Sequence, residues 1–115
     1  MTIEVTWERQ DGVAIAIVSG RIDSSRTDEF QSKLESGMEA EDSALVLDFG
    51  QVSYINSSGL RVGLRIAKQC RASGRKFGIC NLSDATRDIV AISGFDQVIP
   101  VYESRTRALN QVSVE

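Results

Sequence analysis

The chain has 115 residues, 42% of them hydrophobic and 25% charged, with a net charge of −3. That length fits one core, with residues 1–115 as a single domain, and leaves no room for a second; no apolar run approaches the roughly 18 residues needed to cross a bilayer. The start, MTIEVTWERQ, lacks the basic and apolar regions of a signal peptide, and the intermixed charges show no basic excess of the kind that grips a phosphate backbone, so a cytoplasmic protein that binds neither membrane nor nucleic acid is expected.

Ile3, Val5 and Trp7 alternate with Glu4, Thr6 and Glu8, the period of a strand buried on one face. Asp11-Gly12 follows as a tight turn, because that pair accepts the positive φ angles of a two-residue hairpin loop. Val13 to Val18 is apolar on both faces and reads as a strand inside the sheet. Residues 3–18 are thus a predicted hairpin.

At Ser25 the period changes. Ser25-x-x-Asp28 has the spacing of a capping box, with Asp in place of the usual Glu or Gln. Thr27, Phe30, Leu34 and Met38 then recur at steps of three and four, as one face of a helix does. The polar stretch Glu39 to Ser43 is a loop, and Ala44 to Leu47 is a short buried strand that runs out at Asp48, Phe49 and Gly50. A second helix starts near Ser57 or Ser58. Leu60, Leu64 and Ala67 form one stripe and Val62, Ile66 and Cys70 the next, a width suited to packing against both a sheet and a neighbour. Ser73-Gly74 stops it.

Phe77 to Cys80 reads as a strand. Ser83 caps a third helix that carries Ala85, Ile89 and Ile92 and closes at Gly94. Val98 to Tyr102 is the last strand, at an edge because Pro100 cannot donate to a ladder. Ser104 to Val112 is a terminal helix with Ala108, Leu109 and Val112 inward. The order ββαβαβαβα describes an α/β fold: a mostly parallel, mixed sheet of about five strands opened by an antiparallel hairpin, with about four helices.

The chemistry available to this chain is narrow. It has no histidine, which removes His-dependent triads, imidazole base catalysis and phosphohistidine relays. Cys70 and Cys80 sit in apolar segments without CxxC spacing, so both read as core residues rather than as a redox or metal site. No Gly-rich phosphate loop is present. Asp23 and Asp48 lie near strand ends, where capping and turn formation account for them.

One segment stands out. Val46 to Leu60, VLDFGQVSYINSSGL, runs a buried strand into a loop that ends in Asn56-Ser57-Ser58-Gly59 at a helix start. Hydroxyls there lie beside unpaired backbone N–H groups and the positive end of a helix dipole. A phosphate would meet donors and a favourable field, and its charge of about −1.5 to −2 would change the surface offered to a partner. The same residue types are also frequent as plain helix caps, and pattern alone leaves both roles open.

The segment also resembles the signature of STAS-domain anti-sigma factor antagonists, Asp-Ser-Ser-Gly-Leu or Asp-Ser-Thr-Gly-Leu after a strand and loop. Ser19-Gly20-Arg21-Ile22-Asp23 is similar to the family's Gly-x-Ile/Leu-Asp turn before the first helix. Leu47-Asp48-Phe49 with Val52-Ser53-Tyr54-Ile55 resembles its apolar-Asp-apolar approach, and Ser93-Gly94-Phe95 with Val98-Ile99 its Ser-Gly-Leu and following apolar pair. The likeness runs in order over residues 3–112. It implies a STAS fold and a regulator without catalytic activity, cofactor or metal.

In that family the first serine of the signature is phosphorylated by an anti-sigma factor that is itself an ATP-dependent serine kinase. The unphosphorylated antagonist holds the kinase and frees a sigma factor, and a metal-dependent serine phosphatase resets the switch. Carried onto this sequence, the phosphorylated residue is Ser57, with Ser58 the neighbouring hydroxyl. The resemblance implies that Asn56 and Ser58 position the loop, that Gly59 lets the kinase approach, and that Leu60 and the start of its helix, with the Asp23-Ser24-Ser25 turn beside it, form the docking surface; the weak surface signals point to a monomer that binds one partner at a time.

Two positions depart from the family. Asn56 stands where Asp is usual: it places no carboxylate beside a phosphate, which eases the modified state, or it removes a group the kinase reads. Arg61 stands where Gly is frequent. It pairs with a phosphate at Ser57 or is solvated with Arg65 and Lys68 on one helix face. A signature lacking its Asp also fits the alternative, a STAS domain that serves as a ligand-sensing or assembly module without a phospho-switch.

Overall fold

The computed structural model describes residues 3–113. Strand β1 (Glu4–Gln10) and strand β2 (Val13–Ile22) pair antiparallel across Asp11-Gly12, whose φ angles of 53° and 84° suit a primed hairpin turn. Val5 and Trp7 turn toward the core while Glu4, Thr6 and Glu8 face out. Parallel pairing then adds β3 (Ala44–Ile55), β4 (Lys76–Cys80) and β5 (Val101–Tyr102), giving one sheet in the order β1-β2-β3-β4-β5. With the four α-helices among the described residues, the order is the expected ββαβαβαβα.

Helices α1 (Thr27–Gly37), α2 (Ser57–Ala72) and α3 (Asp84–Ser93) cover one face. Phe30 and Leu34 of α1, Leu60, Val62, Ile66 and Cys70 of α2, and Val90 of α3 meet Ala14, Ala16, Leu45 and Leu47 from the sheet in one apolar cluster. Helix α4 (Arg105–Val112) covers the other face, where Ala108, Leu109 and Val112 lie on Val13, Ile15, Ala44 and Val46. This is why β2 and β3 are apolar on both sides. Among the described residues no helix is long and apolar enough to cross a membrane.

Four expectations are corrected. The segment after Gly50 is strand, not loop: β3 continues to Ile55 because β2 continues to Ile22, and the two resume pairing after register shifts, as Ser19↔Gln51, Gly20↔Val52, Arg21↔Tyr54 and Ile22↔Ile55. The Ser25–Asp28 capping box does not form. Asp23 instead caps a short 3-10 turn at Ser24–Arg26, accepting Ser25 N–H at 3.1 Å, and α1 begins at Thr27 with no side-chain cap.

In α3 the inward face is Thr86 and Val90, with Ala85 exposed and Ile92 88% exposed. The Ser83 cap accepts Thr86 N–H at 3.2 Å and bonds the Thr86 hydroxyl at 3.0 Å, which lets a polar residue take the buried place. The last strand is only two residues long. Pro100 lends its carbonyl to Ile79 N–H at 3.0 Å but has no N–H to return, and the chain before it forms a 3-10 turn at Phe95–Gln97.

Candidate functional site

Ile22 and Ile55 are register partners at the C-terminal ends of two adjacent parallel strands. The loops that follow them therefore leave the sheet side by side, where ligands and partners of open α/β sheets commonly bind. Asn56 joins the two loops. Its N–H donates to the Ile22 carbonyl at 3.2 Å, its Oδ1 accepts Gly59 N–H at 3.1 Å as the N-cap of α2, and its Nδ2 donates to Ser24 Oγ at 3.1 Å. Asn56 can make both side-chain bonds because its carboxamide carries an acceptor and a donor.

The structure brings Asp23, Ser24 and Ser25 beside Asn56, Ser57 and Ser58. Ser24 Oγ lies 3.4 Å from Ser58 Oγ. Asp23 accepts the Ser25 hydroxyl at 2.7 Å as well as its N–H, and the hydroxyl bond, ahead of the other influences, holds the Asp23 carboxyl below its ordinary range. Ser57 is exposed and its hydroxyl makes no hydrogen bond among the described residues, while Ser58 is half-buried. Arg61, one turn further along α2, is exposed and has no ion-pair partner among the described residues.

Gly59 and Leu60 are not surface. Both are buried, and a Cβ on Gly59 would lie 2.7 Å from Ile22 Cγ2 and from Ile55 Cγ1. Gly59 thus permits close approach of α2 to the strand ends beneath it. Arg65 is not merely solvated, since its Nη1 donates to Gln31 Oε1 of α1 at 3.1 Å; beside it, Gln69 Nε2 donates to Glu35 Oε2 at 2.8 Å.

Two features went unread in the sequence. Arg21 lays its guanidinium over the Tyr54 ring, 4.1 Å from the centroid, with its Nε 3.4 Å from Asp23 Oδ2. This cation–π pair borders the serine cluster, and only the strand register could reveal it. On the other sheet face, Asp48 is 6% exposed and binds Arg105 rather than serving as a strand-end turn alone. It accepts Arg105 Nε at 3.2 Å and Nη2 at 3.0 Å, Asn81 Nδ2 at 3.1 Å and Gly50 N–H at 2.9 Å. These bonds fasten α4 to the sheet. Nearby Cys80 is pushed up to about 12, first by burial and then by the Asp48 charge, and so remains a thiol.

Residues 4–108 match the family described as the STAS domain. This chain belongs to the STAS family. The STAS domain here is 34% identical to BtrV of Bordetella bronchiseptica, a protein named for an anti-sigma factor antagonist role, over 92% of this chain and 91% of that one. It is 24% identical to an anti-sigma F factor antagonist of Paenibacillus polymyxa, over 99% and 98% of the two chains. Among solved structures, an anti-sigma factor antagonist from Mycobacterium paratuberculosis superposes with a TM-score of 0.86 at 27% identity, covering 98% of this chain and 96% of that chain.

Proposed function

We propose that this STAS domain is an anti-sigma factor antagonist controlled by phosphorylation of Ser57. Unphosphorylated, it binds an anti-sigma factor with ATP-dependent serine kinase activity and so releases a sigma factor or an equivalent output. Phosphorylation ends that complex, and a serine phosphatase restores it. The relatives' shared naming as anti-sigma factor antagonists supports the class of partner.

The observation that carries the reading is the state of the Ser57 hydroxyl: exposed, without a hydrogen bond among the described residues, at the first residue of α2. Asn56 satisfies Gly59 N–H, but Ser57 and Ser58 N–H have no acceptor within the helix. A phosphate on Ser57 meets those donors, the positive end of the α2 dipole, and Arg61 four residues on. The modified state is therefore well supported within this chain. At the same time about two negative charges appear where the Ser57 hydroxyl carried none. A partner fitted to the unmodified loop would have to desolvate that charge or leave.

Incubation of the protein with magnesium ATP in a lysate of its native host, followed by intact and fragment masses, tests this. One phosphoryl group on Ser57, absent from Ser57→Ala, is the expected result, with retention of the kinase by unmodified protein only. Absence of the gain, while a control serine-kinase substrate in the same lysate is phosphorylated, would remove the reading.

A further inference from the structure

Ser57 and Ser58 are adjacent hydroxyls at one helix start, and a kinase that meets both has chemically equal acceptors. The surroundings make them unequal. Ser57 Oγ is exposed and unbonded among the described residues, whereas Ser58 is half-buried with its Oγ 3.4 Å from Ser24 Oγ on the neighbouring loop. Building on the phosphorylation reading above, we infer that Ser24 is a positioning residue that withholds Ser58, so that Ser57 alone takes the phosphoryl group.

Ser24 is itself held in place. Asn56 commits its Oδ1 to Gly59 N–H, so its Nδ2 must face the other loop, where it donates to Ser24 Oγ at 3.1 Å. Ser24 Oγ, having accepted that N–H, still has a proton for Ser58 Oγ and a second lone pair to receive one from it. In the first case a lone pair of the Ser58 nucleophile is occupied. In the second its proton is occupied and cannot pass to a base. At 3.4 Å the bond is long, so occupancy of space matters as well: a phosphate on Ser58 would need to place oxygens where Ser24 stands. Asn56 holds Ser24 as an acceptor through its Nδ2, whereas an ionised aspartate at that position could hold Ser24 only by taking its proton.

In the transfer, the Ser57 O–H bond breaks and its proton passes to a base of the kinase. A bond forms from Ser57 Oγ to the γ-phosphorus of kinase-bound magnesium ATP, and the bond from that phosphorus to the β,γ-bridging oxygen breaks, its electron pair leaving on ADP. Ser58 can follow the same course only after rotating away from Ser24.

Site-resolved labelling in the native-host lysate with magnesium ATP tests the inference. Wild type is expected to carry the label on Ser57 by at least about tenfold over Ser58, and Ser57→Ala to stay near background. Ser24→Ala/Ser57→Ala should acquire label on Ser58 at least about tenfold faster than Ser57→Ala, and Ser24→Thr/Ser57→Ala, which keeps a hydroxyl, should fall back toward background. Loosening of the loop alone would not restore the block with threonine. Ser24→Gly/Ser57→Ala serves as a second release variant should the alanine protein fold poorly. Labelling of Ser58 in Ser57→Ala equal to that in the release variants, or no labelling of Ser58 in either release variant while wild type is labelled, overturns the role of Ser24 and leaves the proposed function standing. No labelling of wild type, with the control substrate labelled, overturns both.

Discussion

Gly59 lies so close to Ile22 that a methyl group on its α-carbon would come within 2.7 Å of Ile22 Cγ2, and equally near Ile55 Cγ1. The first turn of α2, with the serines it carries, is seated on the strand ends through this contact. Gly63, one turn further and also buried, has nothing within 4 Å of where its Cβ would stand. Opposite effects are therefore expected within one helix. Gly59→Ala should lose about 1–3 kcal/mol by overpacking, against the ~1 kcal/mol that alanine offers a helix. Gly63→Ala should gain about 0.4–1 kcal/mol from the lower entropy of its unfolded chain. Urea unfolding of the two variants beside wild type decides it, and changes of the same sign would contradict the packing described.

How far the sequence discloses this arrangement depends on which physical signal each part carries. The hairpin and α2 were legible because alternation, the Asp11-Gly12 turn, and the Asn56 and Ser73-Gly74 boundaries all act locally. The second half of β3 was not. Its burial follows no simple alternation, with Val52 and Ile55 buried around exposed Ser53 and Tyr54, because the register with β2 shifts there. In α3, apolar Ile92 faces solvent while Thr86 is buried, since Ser83 satisfies the threonine; hydropathy alone points the other way. The Asn56–Gly59 cap was readable from residue types. The Arg21–Tyr54 stack was not, because it exists only once the strands are paired. Asp42 and Asp48 gave no sign of their arginine partners, which lie 33 and 57 residues away.

Asp42 provides a pH-dependent element remote from the serines. It accepts Arg9 Nε and Nη2 at 2.9 Å each and Glu39 N–H at 2.7 Å. The Arg9 hydrogen bonds, outweighing the burial that opposes them, hold its carboxyl below the ordinary range. A carboxyl with its folded pKa below the unfolded value of about 3.9 binds more protons unfolded than folded in that window. Its contribution is complete above the unfolded value and is lost as pH falls through the folded one. Asp42→Asn should be less stable than wild type by about 1–3 kcal/mol at neutral pH, with the gap narrowing as pH drops below about 4. Urea unfolding at a series of pH values checks this; a gap that stays constant into acid would refute it.

Arg105 should matter far more through Asp48 than through Glu8. It bonds both, but Asp48 is buried and Glu8, 2.9 Å from Nη1, has a side chain 54% exposed. An exposed ion pair contributes about 0–1 kcal/mol, so Glu8→Gln should barely move stability. Arg105→Met keeps the aliphatic stem yet leaves Asp48 short of its charged donor, and a loss of about 1–3 kcal/mol is expected. Because Arg105 opens α4, amide exchange should accelerate in Arg105–Val112 before it does in α2. Equal costs for the two substitutions would mean that the buried carboxylate is already satisfied by Asn81 and Gly50 alone.

Ser57 and Arg61 are four residues apart on α2, a spacing that puts side chains on the same helix face. On the proposed phosphorylated form, Arg61 is the cation placed to pair with the new group, since it has no ion-pair partner among the described residues. A cation favours the dianion over the monoanion, so it should lower the second phosphate pKa from its usual value of about 6. For an exposed pair of about 0.2–1 kcal/mol, Arg61→Ala should raise that pKa by roughly 0.2–0.7. Phosphorus NMR titration of the two phosphoproteins reads the difference directly. At about 1 M salt, where the screening length falls to ~3 Å, much of the difference should vanish. Arg65, occupied by Gln31, should show little of it. Identical titrations of wild type and Arg61→Ala at low salt would instead assign Arg61 to solvent, and leave the backbone donors and helix dipole as the main support of the phosphate.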